Sequence, residues 1–350
     1  MKTCIFCGGE VRGEIPGKTT VIGFTEVSVP SVNNEKVPYF VLLLEDSAGN
    51  RYLRKTFDTY TLGDTFELHK EKTKRHIYGV IGTGLLGLQI CEFLVTKGYR
   101  TIAKTRGEVH AIDKTLTKME GRLSRNYSPD MVTAILKSFT VTTSFSDMAG
   151  CDIIIEAAPE NITMKEEIFR ALSEVCDQKT IFSTNSSSLS VDQLAGATDR
   201  PDRFIGIHFF NPVRKMDLVE VVTGENTSEE TRNLVISDLI DMGKKPILVK
   251  DSPGYIVNRL LLPQINEAIT LLEEGVATKE DIDSAVKMGL NHPMGPFQLA
   301  DYIGLDICLS ILEVLYSKNK TGGKKPAALL SQLCREGKLG VKTKEGFYKY

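Results

Sequence analysis

The chain has 350 residues, 41% of them hydrophobic and 25% charged, with a formal net charge of −2. This is globular material long enough for two or three domains, and its charge balance gives no electrostatic reason to expect nucleic acid or an anionic membrane as partner. No apolar run approaches the roughly 20 residues of a membrane span, and residues 1–10 lack the charged-then-apolar pattern of a signal peptide, so a cytoplasmic location is expected.

Residues 1–72 are rich in β-forming runs at 21–27, 39–44 and 51–54, cut by Pro30, Pro38 and Ala48-Gly49-Asn50, with a closing strand expected at 62–68. The pattern predicts a small β-barrel. Cys4-x-x-Cys7 ahead of Gly23-Phe24-Thr25, Pro38-Tyr39 and Leu62-Gly63-Asp64 resembles the zinc-ribbon-plus-OB domains that accompany acyl-CoA enzymes such as thiolases. That resemblance implies an OB-like barrel and an acyl-CoA enzyme as a partner for this segment. The second Cys-x-x-Cys of such ribbons is missing, and only His69 and His76 stand in reach as substitutes, so no zinc at Cys4/Cys7 and no other metal is expected. Nine Lys/Arg against ten Asp/Glu give these residues a balance of −1, the wrong sign for a barrel that tracks a nucleic-acid backbone. The seven cysteines are an odd count, and most lie inside apolar patterns, which reads as buried free thiols. A charged linker at 70–75 follows.

From 76 to 251, strand and helix patterns alternate. The apolar run ending at Ile81 enters Gly82-Thr83-Gly84-Leu85-Leu86-Gly87 and passes directly into a helical pattern at 85–97. Strand, tight turn and helix are the context a dinucleotide site requires: Gly82 permits the turn, Gly84 admits a pyrophosphate to the helix N-terminus, and Gly87 lets helix and strand pack closely. Strands are expected at 100–104, 153–155, 180–183, 204–207, 218–222 and 247–249, and helices at 108–125, 163–175, 190–196 and 228–242. This predicts a Rossmann-type, doubly wound and mostly parallel sheet. From 252 to 350 strands vanish and apolar residues recur at helical spacing, which predicts an all-helical C-terminal domain.

A dehydrogenase also needs a base that takes a hydroxyl proton as hydride leaves the same carbon. His208 lies at the carboxyl end of a predicted strand, where open α/β sheets bind ligands, and Glu220 lies mid-strand twelve residues later, an apt partner for an imidazole Nδ1–H. Taken singly, His208 also fits a core histidine, Glu220 a solvated strand position, Asn185-Ser186-Ser187-Ser188 a helix cap, and Asn258 a polar first-turn residue. Lys114, Lys118, Arg122 and Arg125 share a helical face, either turned to ligand phosphates, those of coenzyme A if the resemblance described next holds, or simply solvated.

The ordered set Glu156–Glu160, Asn185–Ser190, His208-Phe209-Phe210-Asn211-Pro212, 218–221, 253–259, His292-Pro293-Met294-Gly295-Pro296 and Gly346-Phe347-Tyr348 strongly resembles the 3-hydroxyacyl-CoA (3-hydroxybutyryl-CoA) dehydrogenase family across 76–350. The resemblance implies interconversion of short-chain 3-oxoacyl-CoA, such as acetoacetyl-CoA, and (S)-3-hydroxyacyl-CoA in fatty-acid or butanoate metabolism, by a homodimer or larger homo-oligomer associating through the helical domain. It implies His208 as general base or acid, Glu220 as its orienting partner, and Ser187 and Asn258 as donors to the 3-oxygen. It places Gly82, Gly84, Leu85, Leu86, Gly87, Glu160, Lys165, Ser187 and Asn211 about the cofactor. Rival readings are a dehydrogenase of a non-CoA hydroxy acid or carnitine, and a catalytically idle acyl-CoA-binding scaffold.

The chain departs from the family pattern in three places. Gln89 replaces a small glycine, which predicts looser helix packing, and Arg214-Lys215 with Asp217 replaces a more apolar loop. Thr105 stands where an NAD enzyme carries a carboxylate for the ribose 2′-hydroxyl, with Lys104 and Arg106 beside it. These residues favour NADP(H), with NAD(H) the alternative, and strand alternation predicts that only one of the two cations, Arg106, faces the adenosine pocket.

Overall fold

The structure is a computed structural model that describes residues 2–3, 10–11, 18–27, 39–45, 47, 49, 51–56, 61–67, 76–107, 110–318 and 324–350. Cys4, Cys7, His69 and the linker 70–75 lie outside the described residues. The chain divides into two compact units, 1–75 and 76–350.

In the first unit β1 (Lys2–Thr3) pairs antiparallel with β2 (Glu10–Val11). Strands β3 (Lys18–Val27), β4 (Tyr39–Glu45), β5 (Arg51–Thr56) and β6 (Thr65–Glu67) form an antiparallel sheet in the order β5-β4-β3-β6. Val21, Leu42 and Leu44 are its buried residues, with Phe40 packed against them. Among the described residues β5 and β6 are the edges of this sheet. Of the closing strand anticipated at 62–68, the start is a turn, with Gly63 at φ +91° and the Asp64 carboxylate accepting the Thr61 N–H, and Leu68 lies outside the described residues.

The second unit begins with β7 (Tyr78–Ile81), α1 (Leu85–Thr96), β8 (Thr101–Lys104), α2 (His110–Leu123), α3 (Pro129–Leu136) and β9 (Phe139–Thr142). It continues through β10 (Ile153–Glu156), α4 (Ile162–Val175), β11 (Ile181–Thr184), α5 (Val191–Ala195), β12 (Phe204–Phe209), β13 (Leu218–Thr223), α6 (Glu229–Asp241) and β14 (Lys245–Lys250). These strands make one sheet in the order β14-β13-β12-β11-β10-β7-β8-β9, parallel except between β12 and β13. Side chains alternate across it: Ile153 and Ile155 join Val80, Leu94, Met119 and Leu239 on one face, while Ile154 joins Phe169, Leu172, Phe182 and Phe204 on the other. Strand order reverses between β7 and β10, so a crevice opens at their carboxyl ends.

Among the described residues five helices follow, α7 (Val257–Glu273), α8 (Lys279–Leu290), α9 (Pro296–Ile303), α10 (Leu305–Lys318) and α11 (Ala328–Arg335), around a core that includes Leu262, Ile269, Phe297, Leu312 and Phe347. Two buried carboxylates fasten this domain. Asp283 accepts the Phe297 and Gln298 N–H groups at the start of α9, and Asp301 accepts the N–H groups of Phe347 and Tyr348. The motifs 292–296 and 346–348 therefore hold helices together rather than line the crevice. Cys91, Cys151, Cys176 and Cys308 are buried free thiols, and Cys334 is half-buried.

Candidate active site

The turn after β7 is built around glycine. Gly82 has φ +104°, and a Cβ there would lie 2.7 Å from the Ala157 carbonyl oxygen; one on Gly87 would lie 2.0 Å from the Gly82 oxygen. A Cβ on Gly84 would meet nothing within 4 Å, because Gly84 faces the crevice as the N-cap of α1, and no side chain caps that helix. The first amides of α1 and its dipole are thus left for an anion, as a dinucleotide pyrophosphate requires. The crevice is a cavity of about 870 Å³ lined by Gly82, Gly84, Leu85, Leu86, Thr105, Arg106, Glu160, Lys165 and Ser187, and also by Asp306, Ile307 and Ser310 of α10. Gly87 packs behind it, and His208, Glu220, Asn211 and Asn258 are not among its lining residues.

At the end of β8, Thr105 is buried and accepts a hydrogen bond from the Thr83 hydroxyl at 2.8 Å. Both Lys104 and Arg106 line the crevice, contrary to the alternation argument, because β8 ends at Lys104 and the strand periodicity stops there. The Lys104 ammonium lies 4.0 Å from the centre of the Phe145 ring, and burial lowers its pKa.

On the opposite side of the strand reversal, a buried ion network shapes the ends of β10 and β11. Lys165, 1% exposed, donates to both Glu156 oxygens at 2.7 and 2.8 Å, and lies 3.3 Å from Glu160. Glu156 also accepts from the Thr184 hydroxyl and the Ala158 N–H. Burial pushes its carboxyl up, against the opposing pull of the Lys165 ammonium. Glu160 accepts the Ser186 and Ser188 hydroxyls at 2.5 and 3.0 Å and the Ser187 and Ser188 N–H groups at 3.1 Å. Burial works against its ionisation, but Lys165 and the serine hydroxyls outweigh it and hold the carboxyl below the usual range. Of the three serine hydroxyls, only that of Ser187 has no partner among the described residues, and it is the half-buried one on the crevice.

His208 and Glu220 face each other directly in the antiparallel β12–β13 register. Nδ1 of His208 lies 2.7 Å from Glu220 Oε2, and both side chains are buried. A carboxylate only accepts, so Nδ1 carries a proton, and in the neutral imidazole Nε2 is the nitrogen with the free lone pair. Glu220 Oε1 accepts the Ile256 and Val257 N–H groups at 3.1 and 3.0 Å, which caps α7 from the sheet. Burial again opposes ionisation, and the His208 bond with these amides brings the Glu220 carboxyl below its ordinary value. Asn258, in the first turn of α7, reaches the Ser187 carbonyl at 3.5 Å, and the Tyr255 hydroxyl donates to the Leu189 carbonyl. The serine turn, the start of α7 and the His208–Glu220 pair therefore form one assembly.

Residues 78–252 match the family described as 3-hydroxyacyl-CoA dehydrogenase, NAD binding domain, and residues 254–350 match its C-terminal domain. The chain belongs to the 3-hydroxyacyl-CoA dehydrogenase family. It is 42% identical over 276 residues to 3-hydroxybutyryl-CoA dehydrogenase of Clostridioides difficile, covering 77% of this chain and 98% of that protein. With mitochondrial hydroxyacyl-coenzyme A dehydrogenase of Homo sapiens it shares 38% over 282 residues, 77% of this chain and 90% of the relative. The crystal structure of (S)-3-hydroxybutyryl-CoA dehydrogenase from Ralstonia eutropha superimposes with a TM-score of 0.75 at 38% identity, over 79% of this chain and 99% of that one. Both halves of the dehydrogenase are matched, so this is an enzyme with a nicotinamide-nucleotide site. Residues 1–77 precede the matched region.

Several polar residues of the dehydrogenase had no role assigned from sequence. Glu156 ends the apolar run Ile153-Ile154-Ile155, and a charge closing a buried strand nine residues before a lysine is the signal that marks it. Asn185 accepts the Phe209 N–H and joins β11 to β12. Gln89, expected to loosen packing, is instead buried and bonded to Asn211 and Val213. Arg122 is bound to buried Glu92, as is Arg214, which takes it out of a free phosphate-facing stripe.

Proposed function

We propose that this dehydrogenase interconverts a short-chain 3-oxoacyl-CoA, such as acetoacetyl-CoA, and its (S)-3-hydroxyacyl-CoA, with NADP(H) preferred over NAD(H). The observation that carries the catalytic part is the buried His208–Glu220 pair at 2.7 Å, whose geometry leaves Nε2 as the proton acceptor. In the oxidative direction Nε2 takes the 3-hydroxyl proton, and the Glu220 carboxylate stabilises the resulting imidazolium. The bound nicotinamide supplies the hydride acceptor, or the donor in reverse. Ser187 and Asn258 donate to the 3-oxygen, Glu160 holds the serine turn in the conformation that frees the Ser187 hydroxyl, and reduction runs the same proton back from Nε2. Gly82, Gly84, Leu85 and Leu86 would hold the pyrophosphate, while Glu160, Lys165 and Asn211 would serve the nicotinamide half.

The cofactor preference is supported by Thr105, which does not repel a 2′-phosphate, and by the two cations on the crevice wall beside it. Initial rates of acetoacetyl-CoA reduction with NADPH and NADH side by side test both parts. Charged hydrogen bonds of about 1.5–3 kcal/mol each correspond to a preference for NADPH on the order of 10²–10⁴ with two contacts, and Thr105→Asp with Arg106→Ile should swing kcat/KM toward NADH. A wild-type preference for NADH would refute the cofactor reading, and turnover confined to non-CoA hydroxy acids or carnitine would refute the substrate reading. We also read 1–72 as an OB-like module for contact with another acyl-CoA enzyme, 76–251 as the dinucleotide-binding domain, and 252–350 as the substrate and dimerisation domain. Exposed Leu260, Val276, Met288 and Leu290 support the last assignment.

A further inference from the structure

Gln89 lies on α1, two residues past Gly87, and is 6% exposed. Its Oε1 accepts the backbone N–H of Val213 at 2.9 Å. A backbone amide only donates, so this bond decides which end of the Gln89 side chain is oxygen and which is nitrogen. The NH₂ end must then face Asn211, and Nε2 donates to Asn211 Oδ1 at 2.8 Å. That contact in turn fixes Asn211. Its oxygen is turned toward α1, and its Nδ2 points away, on an exposed loop three residues past His208, where Nδ2 has no partner among the described residues. Lys244 holds the same loop through the Val213 carbonyl and, at 2.7 Å, the Met216 carbonyl.

We propose that Gln89 is a positioning residue that locks Asn211 in its donor orientation, so that Asn211 offers its two N–H groups to an acceptor oxygen of the ligand bound beside His208. The proposal rests on the reading of His208 given above. It makes α1, the helix that receives the pyrophosphate, the support of the loop next to the reacting carbon. If the Gln89 amide were only filling space, removing its polarity and inverting it would have the same effect.

The test compares Gln89→Glu and Gln89→Met in the full-length protein, with kcat and KM for acetoacetyl-CoA and NADPH measured from about pH 6 to 8.5 and thermal unfolding as a check on folding. Gln89→Glu keeps the acceptor for Val213 but replaces the donor with a second acceptor, so Asn211 must turn its own N–H groups inward. We expect kcat/KM to fall about 10- to 100-fold near pH 8, the scale of one inverted hydrogen bond, and to recover relative to wild type as the new carboxyl takes up a proton and donates again. Gln89→Met should lose about 3- to 10-fold, with a ratio to wild type that does not change with pH. The charged groups nearby are His208 in β12, Lys244 and Arg214 on or against the loop, and Glu92 with Arg122 beside α1. Wild type carries the same set, so taking the ratio at each pH removes their contribution. A Gln89→Glu enzyme equal to wild type near pH 8, or one whose loss matches Gln89→Met at every pH, would overturn the proposal. An inactive His208→Gln beside an unaffected Gln89→Glu rejects this inference alone, whereas an active His208→Gln rejects the reading beneath it.

Discussion

The two oxygens of Glu220 serve different elements: Oε2 holds the His208 ring, and Oε1 caps α7. Gln at 220 has one oxygen and one NH₂, so it satisfies one of these and opposes the other. Glu220→Gln should therefore lower kcat by about 100-fold or more through the wrong histidine tautomer, and should also destabilise the fold. The sign of the pH dependence follows from the lowered native pKa. The contribution is complete above the unfolded value of about 4.3 and is lost as pH falls through the lower native value, so urea midpoints of wild type and Glu220→Gln should converge in that acidic range. Parallel midpoints down to full protonation would contradict this. The pair was legible in the sequence because twelve residues suffice for two strands to pair, and a carboxylate between Val219 and Val221 demands a partner. The role of Gln89 was not legible, since its partners lie on a loop 122 and 124 residues away.

At the scale of elements, hydrophobic periodicity and glycine placement sufficed for β7, α1 and most of the doubly wound sheet. Strand β9 and helix α3 were missed because the first is four residues with a polar alternate and the second only eight, too short for a clear period. The C-terminal motifs were legible as family marks, but their physical work was not. Asp301 accepts the Phe347 and Tyr348 N–H groups and the Tyr350 hydroxyl, and a Cβ on Gly346 would lie 2.0 Å from its Oδ1. Asp301→Ala leaves the buried Phe347 N–H and the part-buried Tyr348 N–H unpaired and should cost about 3 kcal/mol, read as a lower urea midpoint with an unchanged slope. A wild-type midpoint would show that the closing segment is not held by this carboxylate.

At the scale of the whole molecule, residues 76–350 contain the complete family match and three cores of their own, while 1–75 form a separate compact unit. Removing 1–75 should leave a soluble enzyme with kcat/KM within about threefold of the full chain, and light scattering at micromolar concentration should report a dimer for both proteins if the helical domain is the dimerisation domain proposed above. An inactive remainder would assign catalysis in part to the first unit, and a monomer would count against dimerisation through 252–350. In 1–72 the strand runs predicted the pairing of β3, β4 and β5, whereas closure of a barrel is not something strand runs specify. The central claim is that His208 moves the proton at the 3-oxygen, and acetoacetyl-CoA reduction by His208→Gln tests it most directly. The account predicts a fall in kcat of roughly 10²–10⁴, the scale of a positioned general acid or base, with cofactor affinity nearly unchanged; a kcat equal to that of wild type would contradict it.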